Sequence, residues 1–114
     1  MAECIFCRIA AGEIPTDFLF QDEGLVAFND INPQAPVHFL VVPKKHIPDL
    51  SSLAAADLEL LPAVQQVIVK LTRELGIDRG GFRVVVNTGD DGGQTVPHLH
   101  FHVLGGRFLN WPPG

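Results

Sequence analysis

The chain has 114 residues, 46% of them apolar and 18% charged, with a formal net charge of −5. That length suits one domain with a core that needs no disulfide staples, and the acidic balance excludes a surface built to attract nucleic acid or an anionic membrane. No run of about 18 apolar residues is present to span a membrane, and "MAECIFCRIAAGEIP" is too short and too charged for a signal peptide, so a cytoplasmic location is expected.

In chain order, residues 4–11 are expected as a short helix stopped by Gly12 and Pro15. Phe18–Gln21 and Leu25–Asn29 are apolar runs split by "DEG", a hairpin signal. Two prolines and two asparagines make 29–36 a loop. "VHFLVVP" (37–43) is a strand, followed by a proline-punctuated connection. There the two lysines of "PKKH" are expected to be solvated.

Residues 54–75 hold the long helical pattern, with Leu61, Val64, Ile68, Leu71 and Leu75 at three- and four-residue spacing. Leu58, Val67 and Val69 lie off that stripe and suggest a second apolar face for a partner subunit. Pro62 marks a kink or the first turn, and Gly76 is a natural stop. Residues 81–89 and 98–106 are strands around the loop "DDGGQTVP", whose Asp90 and Asp91 are expected to face water and hold the turn. The sum is an α+β fold: a five-stranded, mostly antiparallel sheet with one long and one short helix.

"HLHFHVL" places three of the five histidines at alternate positions. In a strand His98, His100 and His102 share one face, and Leu99, Phe101 and Val103 the other. Three readings apply. They are half-buried strand residues, although unpaired imidazoles in a core are costly. They grip a metal, which two histidines at i, i+2 can do. Or a neutral imidazole acts as nucleophile while a neighbour serves the oxygens of the reacting group. The loop just upstream favours the last reading. Gly89, Gly92 and Gly93 can turn N–H groups inward as an anion nest, and Thr95 adds a hydroxyl.

"HLHFHVL" resembles the His-φ-His-φ-His-φ-φ signature of the histidine triad (HIT) superfamily. "IFCRIAAGEIP", "FNDINPQAPVHFLVVPKKHI", "RVVVNTGDDGGQTVPHLHFHVLGG" and the terminal "WPPG" are similar to its Hint branch, the histidine triad nucleotide-binding proteins. The resemblance implies one domain over 1–114 that joins sheets across a homodimer, with 106–114 a tail docking near the interface. It implies purine nucleoside monophosphates as ligands and hydrolysis of their phosphoramidates through a nucleotidyl-histidine, with no cofactor required for catalysis.

By the family pattern His100 is the nucleophile, and His102 donates toward the phosphate or leaving nitrogen. His38 and His98 support the row. Asn87, Gly93, Thr95 and the Val96 N–H match phosphate-binding positions, and Asp30 the ribose contact. Ile5, Phe6, Ile9, Phe28, Ile31 and Leu40 match the slot for the base, and Trp111 the tail that reaches a neighbouring site. The nucleotidyltransferase branch carries glutamine at the last triad position, so His102 implies a hydrolase. Thr95 stands where many relatives have serine, and Pro97 biases Val96 toward extended backbone.

Cys4 and Cys7 form a C-x-x-C pair that lacks a thioredoxin-like context. They are two surface thiols or half of a tetrahedral zinc site. Some bacterial relatives carry structural zinc at matching positions, which implies a Cys4/Cys7/His46/His98 site. A metal on His98 would bar its ring from orienting His100. Two further functions stay open: a nucleotide-binding regulatory module whose slow hydrolysis is incidental, and a metal-dependent hydrolase using the histidine row.

Overall fold

A computed structural model describes residues 4–114, so the first three residues of the expected domain lie outside it. The elements are α1 (Ile5–Ala10), β1 (Phe18–Gln21), β2 (Leu25–Asn29), β3 (Val37–Pro43), α2 (Leu60–Glu74), β4 (Phe82–Val85) and β5 (Phe101–Gly105). The strands form one sheet in the order β1-β2-β3-β5-β4, every pair antiparallel. This is the expected α+β architecture.

The β1–β2 hairpin closes through Asp22, whose Oδ1 accepts the N–H groups of Gly24 and Leu25 at 2.8 Å each. Central β3 is buried on both faces, which is why its sequence is a continuous apolar run. One face of the sheet meets α2: Phe39, Val41, Leu99, Phe101 and Val103 pack with Val64, Val67, Ile68 and Leu71. The other meets α1: Val26, Phe28, Leu40 and Val42 pack with Phe6 and Ile9. Among the described residues no helix is long and apolar enough to cross a membrane.

Three boundaries differ from expectation. The long helix begins at Leu60, not 54. Residues 55–57 instead form a 3-10 turn, in which the Asp57 carboxylate accepts the Ala54 N–H at 3.0 Å and the Lys45 ammonium at 2.7 Å. Lys45 is therefore paired rather than simply solvated. Pro62 falls in the first turn of α2, where its missing donor costs nothing. Val67 belongs to the buried face, while Leu61 and Leu75 are exposed. At the far end Gly76 (φ +75°) closes the helix, with Ile77 N–H on Thr72 O and Gly76 N–H on Arg73 O.

Strand β4 stops at Val85 rather than 89, and β5 starts at Phe101 rather than 98. Pro43 at the end of β3 has no N–H to extend the ladder. Leu99 N–H turns to Ile47 O at 2.7 Å, and the Pro43 carbonyl takes the His98 ring at 2.8 Å. The alternation of side chains survives this departure: Leu99 stays on the α2 face, and His98 and His100 meet Phe6 on the α1 face.

Gly105 marks a close approach between β5 and the chain after α2. A Cβ there would lie 2.8 Å from Ile77 Cδ1 and 3.2 Å from Ile77 Cβ. Gly105→Ala is expected to cost about 1–3 kcal/mol by overpacking, read as a lower urea midpoint. An unchanged midpoint would show that Ile77 yields freely.

Candidate functional site

The site sits where the first turn of α1, the end of the β2–β3 loop and the start of β5 converge on the α1 face of the sheet. Register explains the grouping. Leu40 lies opposite His102 and His38 opposite Leu104, so His38 and His102 are diagonal neighbours on one face. Their rings approach at 3.0 Å, His38 Nε2 to His102 Nδ1.

His100 is buried between His102 and Phe6, with ring centroids 5.0 and 4.9 Å away. Its Nδ1 lies 2.7 Å from the carbonyl oxygen of His98. A carbonyl can only accept, so Nδ1 carries the proton and Nε2 of the neutral ring keeps its lone pair. The main chain of His98, not its ring, thus orients His100.

Burial pushes the His102 ring below the ordinary imidazole range; His100 and His38 add to this and Asp30 opposes it. Burial likewise lowers His38, again against Asp30. Asp30 closes a small Asx turn, its Oδ1 accepting Asn32 N–H at 2.8 Å, and points Oδ2 to within 3.5 Å of His38 Nε2 and 3.9 Å of His102 Nδ1.

The glycine loop leads into Val96, which packs against the cluster that holds Phe6, the ring beside His100. Gly89 and Gly93 adopt φ of +71° and +79°, which suits glycine alone. Gly92 admits no side chain, since a Cβ would sit 2.3 Å from Thr88 O. Asn87 ties the loop by donating its side-chain N–H to Gly92 O. Gln94 is the residue that pattern reading missed. Its Oε1 accepts Gly89 N–H at 3.0 Å, and its Nε2 donates to Pro48 O and Val96 O at 2.8 and 3.0 Å. The turn is held by Asn87 and Gln94; the Asp90 and Asp91 side chains make no such bonds among the described residues. The N–H groups of Thr95 and Val96 are likewise without a partner among the described residues.

Of the residues matched to a base slot, Phe6, Ile9, Phe28 and Leu40 come together in the α1 cluster, with Val96 against it. Ile5 is on the exposed side of α1 and lines a surface pocket with Pro48, Thr95, Val96 and Pro97. Ile31 is not brought in: it stands fully exposed. Trp111 is also exposed (79%), in a tail held to β4 by Arg83, whose guanidinium donates to the carbonyls of Leu109 and Asn110.

On the other side of His98 four donor atoms converge. His98 Nδ1 lies 3.1 Å from His46 Nδ1, 3.3 Å from Cys4 Sγ and 3.5 Å from Cys7 Sγ; Cys7 Sγ is 3.2 Å from His46 Nδ1. All four atoms lie within 4.8 Å of one another. Tetrahedral bonds of about 2.0–2.1 Å to nitrogen and about 2.3 Å to sulfur require edges of roughly 3.3–3.8 Å, so the donor set fits zinc. His98 Nε2 donates to Pro43 O, which leaves Nδ1 unprotonated toward the cluster, as a ligand must be. Burial and the neighbouring Cys4 push the Cys7 thiol up; a bound cation reverses that and takes the thiolate.

Residues 3–110 match the family model described as the scavenger mRNA decapping enzyme C-terminal binding domain. The chain is 47% identical over 115 residues to an uncharacterized HIT-like protein of Synechocystis, covering all of both chains. It superposes on a HIT family hydrolase from Legionella pneumophila with a TM-score of 0.95 and 46% identity, over 98% of this chain and all of the other. A zinc-bound histidine triad family protein from Mycobacterium smegmatis matches with a TM-score of 0.78 and 35% identity, over 93% of this chain and 76% of its own.

Proposed function

The chain belongs to the histidine triad superfamily, and from that premise we propose that it is a purine nucleoside phosphoramidate hydrolase of the Hint branch. It cleaves the P–N bond of AMP- or GMP-linked amines in the cytoplasm. The observation that carries this reading is the His100 tautomer: the bond from Nδ1–H to the His98 carbonyl leaves the Nε2 lone pair for attack. His100 Nε2 attacks phosphorus as the P–N bond breaks, the amine leaving with the bonding pair and a proton from His102 Nε2; water then attacks phosphorus, returns a proton to His102 and releases the monophosphate from the ring. Splitting one displacement into two is what a covalent intermediate offers.

His102 serves the phosphoryl oxygens and leaving nitrogen as a hydrogen-bond donor, and the Thr95 hydroxyl and Val96 N–H cradle the phosphate with Asn87 and Gly93. Asp30 takes the ribose hydroxyls, while Phe6, Ile9, Phe28 and Leu40 face the base, with Ile5 at its rim. Rapid quench with a phosphoramidate substrate and mass spectrometry tests the covalent step. A nucleotide adduct on His100 is expected; its absence from both wild type and a His102 variant would overturn the mechanism.

Zinc on Cys4, Cys7, His46 and His98 supplies a structural cross-link in this reading, and the chemistry at His100 needs no cofactor. A second copy of the chain completes the assembly. β4 is an edge strand, and its Phe82 and Val84 are exposed beside Leu61 and Val69 of α2, an apolar strip on an unpaired edge. The tail with Trp111 then reaches the partner's site. Val84→Glu is expected to convert a dimer into a monomer in sedimentation equilibrium; a dimer of unchanged mass would place the interface elsewhere.

A further inference from the structure

The Gln34 peptide meets the histidine cluster at His38. Its N–H lies 3.0 Å from His38 Nδ1. A backbone N–H can only donate, so His38 Nδ1 must present a lone pair. The neutral ring then carries its proton on Nε2, which lies 3.0 Å from His102 Nδ1. Two nitrogens at that distance share one proton. It comes from His38, so His102 Nδ1 accepts and its own proton stays on Nε2. The Asp30 carboxylate, 3.5 Å from the same His38 nitrogen, favours the proton there too.

The loop that holds Gln34 is clamped by the corner at the end of β5. Arg107 donates to Gln34 O at 2.7 Å and to Phe108 O at 3.0 Å. Gly106 (φ +93°) lies flat against Pro36, where a Cβ would come within 2.9 Å of Pro36 Cβ. We propose that Gln34 and Arg107 are positioning residues: the clamped Gln34 N–H sets the tautomers of His38 and His102 in series and so aims the His102 Nε2–H at the substrate.

The same geometry disposes of a rival. Asp30, His38 and His102 group their ligand atoms closely enough for a metal. A metal on His38 Nε2 would put the ring's proton on Nδ1, facing the Gln34 N–H, donor against donor. The trio is a hydrogen-bond relay.

The proposal rests on the reading of His102 as donor, so its test reads the tautomers apart from turnover. The full chain, labelled with 15N-histidine, is followed by long-range 1H–15N correlation at neutral pH. In wild type both His38 Nδ1 and His102 Nδ1 are expected to carry the shift of an unprotonated nitrogen. Gln34→Pro, which removes the backbone donor together with the side-chain bond to Asn32 O, should move both rings together toward a tautomer mixture and leave His100 unchanged; Gln34→Ala, which keeps the N–H, should leave both tautomers as in wild type. Arg107→Ala should shift them in part, and Arg107→Lys should restore them.

With adenosine 5′-phosphoramidate, kcat should fall about ten-fold with KM within two-fold, less than the ~10²–10³-fold loss on deleting a donor outright. A protonated His102 Nδ1 in wild type would overturn the proposal. So would wild-type tautomers in Arg107→Ala, whose exposed side chain can be changed without threatening the fold even if Gln34→Pro misfolds. The expected tautomers in a protein that cleaves no phosphoramidate would uphold the relay and sink the proposed activity instead.

Discussion

His100→Ala is expected to cut turnover of adenosine 5′-phosphoramidate by at least about 10⁴-fold, roughly 5.5 kcal/mol of transition-state stabilisation. The loss is large because no other imidazole can stand in. The His98 ring is turned away, its Nε2 on Pro43 O and its Nδ1 toward the cysteines. His102 has its Nδ1 against His38. Only His100 is held with a free Nε2 by a main-chain carbonyl. AMP should still bind, since the loop and the apolar cluster survive the change, and calorimetry should find its affinity within about ten-fold. Residual turnover within a hundred-fold of wild type, in a protein whose near-ultraviolet dichroism is intact, would assign the chemistry to another group.

Metal removal is expected to have the second-largest effect, on stability. Protein purified without added metal should contain close to one equivalent of zinc, and a strong chelator should lower Tm by at least about 10 °C. The four residues proposed to hold it come from the start of α1, the β3–α2 connection and the segment leading into β5, so a bound ion would cross-link parts of the chain far apart in sequence. Binding to the native state alone stabilises it by mass action, and for a domain of this size each kcal/mol is worth several degrees. Cys7→Ser should reproduce most of the loss. Metal content below about a tenth of an equivalent, with no response to chelator, would leave the cysteines as plain thiols. Turnover measured below the lowered Tm should persist after chelation, because no proposed step uses the ion; its abolition would favour a metal-dependent hydrolase.

How far the amino-acid pattern carried the reading depended on whether a feature was written in side chains or in backbone. Alternating histidines, the apolar run of β3, the Asx-closed hairpin and the glycine that ends α2 are all local and periodic, and each was legible. The start of α2 was not, because Asp57 prefers to cap a 3-10 turn and pair with Lys45, a contact made across the fold. The start of β5 was not, because the partner of Leu99 is Ile47 O rather than a neighbouring strand. Within the site, the row of rings could be foreseen, yet the groups that decide their protonation are the carbonyls of Pro43 and His98 and the N–H of Gln34. Backbone groups carry no residue code. Gln94 is the exception, a side chain whose three bonds fasten the loop, hidden because glutamine has no distinctive spacing.

His98 faces both proposed centres at once: its ring joins the cysteine–histidine cluster and its carbonyl holds His100, the proposed nucleophile. This makes the two centres unequal in what evolution can discard. A descendant that shed both thiols would still have the ring fastened to Pro43 and the carbonyl in place, so the enzyme could survive with a looser α1. A descendant that first replaced the histidine would disturb the peptide under His100 along with the ion. Losses should therefore run in one order, cysteines before the imidazole.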